Sequence, residues 1–250
     1  MIATRVIPCL DIDNGRVVKG VAFGNLREVG DPQELARRYY RQGADELALL
    51  DVGATCRSRE ILIGVVERVA REVFIPLTVG GGLRTVEDIQ RILRAGADKV
   101  SIGSAALADP ELLTRAAAAF GSQCVVLSID ARRGNGAWRV WSHGGRRETD
   151  WDARAWACRG EELGAGEVLL NSIDRDGTGR GYDLELLQRV SAAVAIPVIA
   201  SGGAGSRAQL PSAVLQGQAS AILLASLLHN GRLTISEIKD FLRSQGVICR

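Results

Sequence analysis

Short runs that are apolar at nearly every position recur along the chain, beginning near Val6, Leu47, Ile75, Val100, Val125, Val168, Pro197 and Ala221. Most are followed by a stretch with the apolar period of a helix. A strand with no polar face has none to show to water, so these runs predict strands covered on both sides, as in a parallel sheet. Polar residues and glycines mark the joints. Asp31-Pro32 and Asp109-Pro110 stand at cap and first-turn positions of helices, and Gly43, Gly96, Gly121 and Gly164 stand where helices stop. The pattern predicts eight strands alternating with eight helices.

The pattern also repeats. Residues 75–105 and 196–226 match at Ile75-Pro76 and Ile196-Pro197, at Gly81-Gly82 and Gly202-Gly203, and at Gly96 and Gly217, each pair 121 apart (196 − 75 = 121). One extra residue brings Ser104 onto Ser226. Residues 7–11 likewise match 126–130, and 43–46 match 164–167. A shift close to half of 250 residues indicates duplication. With alternating strands and helices it predicts one domain over residues 1–250, an α/β (β/α)8 TIM barrel of two half-barrels, in preference to an open doubly wound sheet. Two connections are longer than the others, residues 12–30 and 131–150. Both are expected on the face where loops follow strand C-termini, the first as a lid or both as surface hairpins.

Composition narrows the function without choosing it. With 46% hydrophobic and 24% charged residues the chain can bury a full core. A net charge of +2, spread among acidic residues, gives no basic patch for nucleic acid. No apolar run nears the roughly 20 residues that span a bilayer, and the first residues lack a signal-peptide layout, so a cytoplasmic protein is expected. Five cysteines and two isolated histidines, His143 and His229, show no metal-ligand spacing; reduced thiols and no metal are expected. Gly80-Gly81-Gly82 lacks the spacing of a dinucleotide fingerprint, and no cofactor is expected.

The candidate chemistry lies at the strand ends. Asp11 and Asp130 end the first and fifth strands, which face each other across an eight-stranded barrel, and two carboxylates so placed suit an acid and a base. Glycines directly after a strand let backbone N–H groups approach an anion, and a following helix start adds partial positive charge. Phosphate is the natural ligand. Asp174 to Thr178, after Asn171-Ser172 on the sixth strand, reads as a turn, or as a holder of sugar hydroxyls through Asp176 and of phosphate through the Gly177 backbone. Arg5, Glu46, Lys99 and Glu167 come at or near strand starts. On spacing alone they read as a ring of salt bridges plugging the barrel floor.

The motifs RVIPCLDIDNGRVVKG, LTVGGGLRTVEDI, GADKVSIGSAA, LSIDARR, GAGEVLLNSIDRDGTGRGYD and PVIASGGAG closely resemble the cyclase subunit of imidazole glycerol phosphate synthase, more than the sister isomerase of the same pathway. The resemblance spans nearly the whole chain. It implies a histidine-pathway lyase whose substrate, a ribulosyl-formimino-aminoimidazole carboxamide nucleotide, carries a phosphate at each end. It further implies ammonia supplied by a glutaminase subunit on the N-terminal barrel face, and imidazole glycerol phosphate plus aminoimidazole carboxamide ribotide as products. By resemblance Asp11 and Asp130 are the acid and base, and Lys19 in the first long connection holds substrate. Gly82 and Ser104 match one phosphate site, Gly203, Ala225 and Ser226 the other, and Asn171, Asp176 and Gly177 ligand contacts between them. Arg5, Glu46, Lys99 and Glu167 match the ammonia gate, which replaces the plug reading. Ala22, Gly53 and Gly103 depart from the family's Asn, Thr and Asn, LLHN replaces an apolar-aromatic VFHF, and the last strand is expected to carry an extra residue. The departures leave room for a relative with a changed phosphorylated substrate. A phosphate-binding module or a glutaminase-activating scaffold is the non-catalytic alternative, against which the intact aspartates argue.

Overall fold

A computed structural model describes residues 3–21, 24–53 and 63–250. The first half runs β1 (Arg5–Asp13), β2 (Arg16–Val21), β3 (Gly24–Gly30), α1 (Pro32–Arg41), β4 (Leu47–Asp51), α2 (Ile63–Ala70), β5 (Leu77–Gly80), α3 (Val86–Arg94), β6 (Lys99–Ile102), α4 (Ser104–Ala108) and α5 (Glu111–Phe120). The second runs β7 (Val125–Gly134), β8 (Ala137–Ser142), β9 (Arg147–Asp152), α6 (Ala153–Glu162), β10 (Glu167–Ser172), α7 (Leu184–Ser191), β11 (Val198–Ser201), α8 (Leu210–Leu215), β12 (Ala221–Leu224), α9 (Ser226–His229) and α10 (Ile235–Ser244).

Eight strands pair in parallel in the order β1, β4, β5, β6, β7, β10, β11, β12, and β12 returns to β1, so the sheet closes as a (β/α)8 barrel. Side chains alternate across a strand. On β1, Val6, Leu10 and Ile12 join the core between barrel and helices, while Ile7 and Cys9 join a separate cluster inside the barrel with Ala48, Val126, Leu169, Ile199, Ala221 and Leu223. Arg5 and Asp11 are in phase with Ile7 and Cys9. One face of one strand thus carries a floor cation, two apolar interior residues and a mouth carboxylate. Between layers, Gly160 of α6 lies against Leu127 of β7, where a Cβ would collide with the leucine side chain.

The duplication extends to caps and loops. Asp31 accepts hydrogen bonds from the Gln33 and Glu34 N–H groups to start α1, and Asp152, 121 residues on (152 − 31 = 121), does the same for Arg154 and Ala155 in α6. Both long connections are antiparallel ribbons continuous with a barrel strand: Asp11 pairs with Val18 on β2, and Asp130 pairs with Trp141 on β8. Each catalytic candidate therefore sits where its strand leaves the barrel. Ala22 lies outside the described residues, as does Cys56; the other four cysteines are free.

Several expectations need correction. Among the described residues there are ten α-helices, not eight, because α4 and α9 are only five and four residues long, too short to show a period. Two strands begin after their prolines, at Leu77 and Val198; a proline has no N–H for the ladder, and the Pro76 and Pro197 carbonyls accept instead from Leu47 and Val168 at 2.9 Å. Pro110 takes the N-cap position of α5 without a side-chain bond, while the Asp109 carboxylate faces the Glu111 and Leu112 N–H groups of the first turn and pairs with Arg115 at 2.6 Å. The extra residue expected in the last strand is not there. β6 and β12 are both four residues long, and the addition is absorbed in the preceding turn, where Gln218 adopts φ +59°. No helix among the described residues is long and apolar enough to cross a membrane.

Candidate active site

The strand C-termini surround a cavity of about 620 Å³. Asp11 and Lys19 reach it from β1 and β2, Asp130 and Asn171 from β7 and β10, and Asp176 and Gly177 from the turn after β10. This run is a turn, in which the Asp176 N–H bonds the Ser172 carbonyl at 2.9 Å, and the Asp176 carboxylate faces Lys19. Gly82 and Ser104 line one side, and Gly203, Ala225 and Ser226 line the other. All the mouth candidates share one cavity.

Lys19 Nζ lies 3.3 Å from Asp11 Oδ2 and 3.8 Å from Asp176 Oδ1. Burial opposes its charge, yet the two carboxylates outweigh burial and hold the ammonium well above the ordinary lysine value. Asp130 has no cation beside it among the described residues. Burial pushes its carboxyl up to about 6; the Asn171 Nδ2–H···Oδ1 bond of 3.0 Å works against that push, and the Asp176 charge adds to it. Ser201 Oγ in turn donates to Asn171 Oδ1 at 3.2 Å, so Asn171 is held from both sides and orients Asp130. Asp176 is also raised, by burial first, with Asp11 adding and Lys19 opposing.

The two glycine turns are equivalent. Gly81 and Gly82 have φ of +98° and +74°, and Gly202 and Gly203 have +87° and +105°, a region that admits side chains only at a cost. A Cβ on Gly81 would run into the Asp51 carbonyl, and one on Gly202 would meet the Ser172 carbonyl at 2.8 Å. The half-sites differ in their serines' surroundings: Ser104 Oγ accepts the His143 N–H at 2.8 Å, a contact made by the second ribbon to the first half. Of the departures, Gly103 lines the cavity and offers no side-chain donor, and the Gly53 N–H bonds Asp51 Oδ1 at 3.0 Å.

Sequence reasoning missed some participants. Cys9 Sγ lies 3.3 Å from Asp11 Oδ1 in a position to donate. Arg84 and Arg232 line the cavity, although neither belongs to a repeat match. His229 lies behind the site, its Nδ1 2.6 Å from the Tyr39 hydroxyl, and burial lowers its pKa to about 4. It is a neutral packing group.

At the other end, Arg5, Glu46, Lys99 and Glu167 meet. Arg5 bridges Glu46 at 2.7 Å and Glu167; Lys99 bridges Glu46 at 3.1 Å and Glu167 at 2.9 Å, which closes a ring of four side chains. The Glu46 and Glu167 side chains are only 4% and 6% exposed. Burial opposes the Arg5 charge, and its two glutamates raise it overall.

The profile of the histidine biosynthesis protein family matches residues 5–234. Imidazole glycerol phosphate synthase subunit HisF of Dehalococcoides mccartyi is 56% identical over 250 residues, covering 100% of this chain and 99% of its own. The Myxococcus xanthus subunit of the same name is 58% identical over the same shares. Fold, cavity and full-length identity agree: the chain belongs to the histidine biosynthesis family and, within it, to the HisF cyclase subunits of imidazole glycerol phosphate synthase.

Proposed function

We propose that the cavity takes a bis-phosphorylated ribulosyl-formimino-aminoimidazole carboxamide nucleotide and, with ammonia, converts it to imidazole glycerol phosphate and aminoimidazole carboxamide ribotide. The observation that carries this reading is the pair Asp11 and Asp130, on opposite strands of one cavity, between two equivalent glycine–serine turns. Each turn accepts one terminal phosphate, and the span between them holds the reacting atoms over the carboxylates. Ring formation needs protons added and removed. Asp130, which keeps its proton to about pH 6, is suited to give one; Asp11, beside the Lys19 ammonium, is suited to take one. Lys19 also holds substrate from the ribbon.

Ammonia enters from the floor, where a glutaminase subunit docks. The closed charge ring supports this placement, and so does the exposure of Phe74 and Ile248, large apolar residues beside the starts of β5 and β1. The purified chain should turn over the bis-phosphate with ammonium salt at raised pH, where NH₃ is more abundant, and should not use glutamine until a glutaminase is added. Use of glutamine by the chain alone, or no product with ammonia, would remove this reading.

A further inference from the structure

A bis-phosphate bound here meets an electrostatic problem. Asp11, Asp51, Asp109, Asp130 and Asp176 all line the cavity. A phosphate whose second ionisation lies near about 6 is close to a dianion at neutral pH. Lys19, the cation nearest the carboxylates, is already held by Asp11 and Asp176. Backbone N–H groups are dipoles and leave the net charge unchanged, and Gly103 adds no side-chain donor to the first half-site.

Among the described residues, the other two cationic side chains that line the cavity are Arg84 and Arg232. They come from opposite halves of the chain. Arg84 follows Gly82 by two residues, and Arg232 lies just beyond α9, the helix that begins at Ser226. Their repeat counterparts are Gly205 (84 + 121 = 205) and Pro110 (232 − 122 = 110), so duplication did not place them; each half gained its own arginine from a different loop. Neither guanidinium forms a salt bridge or side-chain hydrogen bond among the described residues, whereas Arg115, beside Asp109, is paired. Guanidinium binds phosphate through two parallel N–H groups, which gives both charge and orientation.

We propose that Arg84 and Arg232 are phosphate clamps, one for each terminal phosphate, and that together they set the requirement for a ligand charged at both ends. The proposal deepens the functional reading above and rests on it for the identity of the substrate. Both side chains are exposed and lack partners among the described residues, so replacing them leaves the core and the carboxylates untouched.

The test has two arms. In the first, inorganic phosphate is titrated into the chain and followed by the amide NMR shifts of the glycine turns. Arg84→Gln should weaken binding at Gly82 alone, and Arg232→Gln at Gly203 alone, each by about tenfold or more. Unchanged binding at both turns would overturn the proposal even in a chain that turns over the bis-phosphate. In the second arm, each variant should raise KM for the bis-phosphate about tenfold at nearly constant kcat, with Arg→Lys recovering part of the loss. A fall in kcat at constant KM would also overturn it. If wild type binds phosphate at both turns in the expected arginine-dependent way but makes no product, the clamps stand and the assigned reaction falls.

Discussion

At the floor two cations and two carboxylates meet in a closed ring; at the mouth Asp11 and Asp176 share the ammonium of Lys19, and Asp130 has no cation among the described residues. Both sets open toward the barrel interior, and β1 contributes to each, Arg5 to the floor and Asp11 to the mouth. Balance at the floor lets buried charges persist, since every glutamate there touches two cations. Imbalance at the mouth leaves Asp130 facing a neutral amide, so burial decides its protonation. The balanced set holds its charges in place, and in the unbalanced set burial holds a proton on a carboxyl.

The comparison can be broken first at the mouth. Asp11→Asn or Asp130→Asn should each lower kcat with ammonia by ~10²–10⁴, with little change in KM. Near wild-type turnover in either would show that imbalance is not what drives the reaction.

The floor should respond in stability and coupling. Lys99→Ala leaves Glu46 and Glu167 with Arg5 alone and should cost about 3–5 kcal/mol, read by chemical denaturation. It should spare the ammonia-driven reaction while altering the glutamine-driven one once a glutaminase is present. Equal losses in both reactions would erase the division of labour between the two ends.

The smallest effect sharpens the contrast. A carboxyl raised from 3.8 to about 6 binds its proton more tightly in the folded state than in the unfolded state. Its contribution is therefore favourable in acid, and it falls away as pH rises from about 4 through about 6. Asp130→Asn should consequently raise thermal stability at about pH 8, by at most about 3 kcal/mol, and leave it unchanged at about pH 4. A variant stabilised equally at both values would mean that the native carboxyl is not raised.

Much of this was legible because the barrel strands are uniformly apolar and the glycines mark turns that nothing larger can make. Asp11 and Asp130 stood out as polar ends of apolar runs. Less visible was anything that depends on pairing between distant strands. The Asn171–Asp130 bond joins residues 41 apart in sequence, and it makes a cavity-lining residue an orienting group as well. The two ribbons were legible only as one of two readings, hairpins or a lid, because their strands alternate weakly and carry several charges. Arg84 and Arg232 escaped notice because a lone arginine in a loop has no pattern; only the closed barrel brings them to one cavity.

The added residue at Gln218 shows how such a barrel tolerates change in length. Residues 221–225 keep the phase of 99–103, so Ala225 still opens α9 as Gly103 opens α4. Had the same residue entered the strand, the polar and apolar rows beyond it would have traded places, turning inward positions toward the helices. Insertions are thus quantised by location: one at a time in turns, only in pairs within strands. A lineage of such barrels can drift freely in the length of its turns while its inward rows stay in step, which makes turn length a poor clue to chemistry and strand phase a durable one.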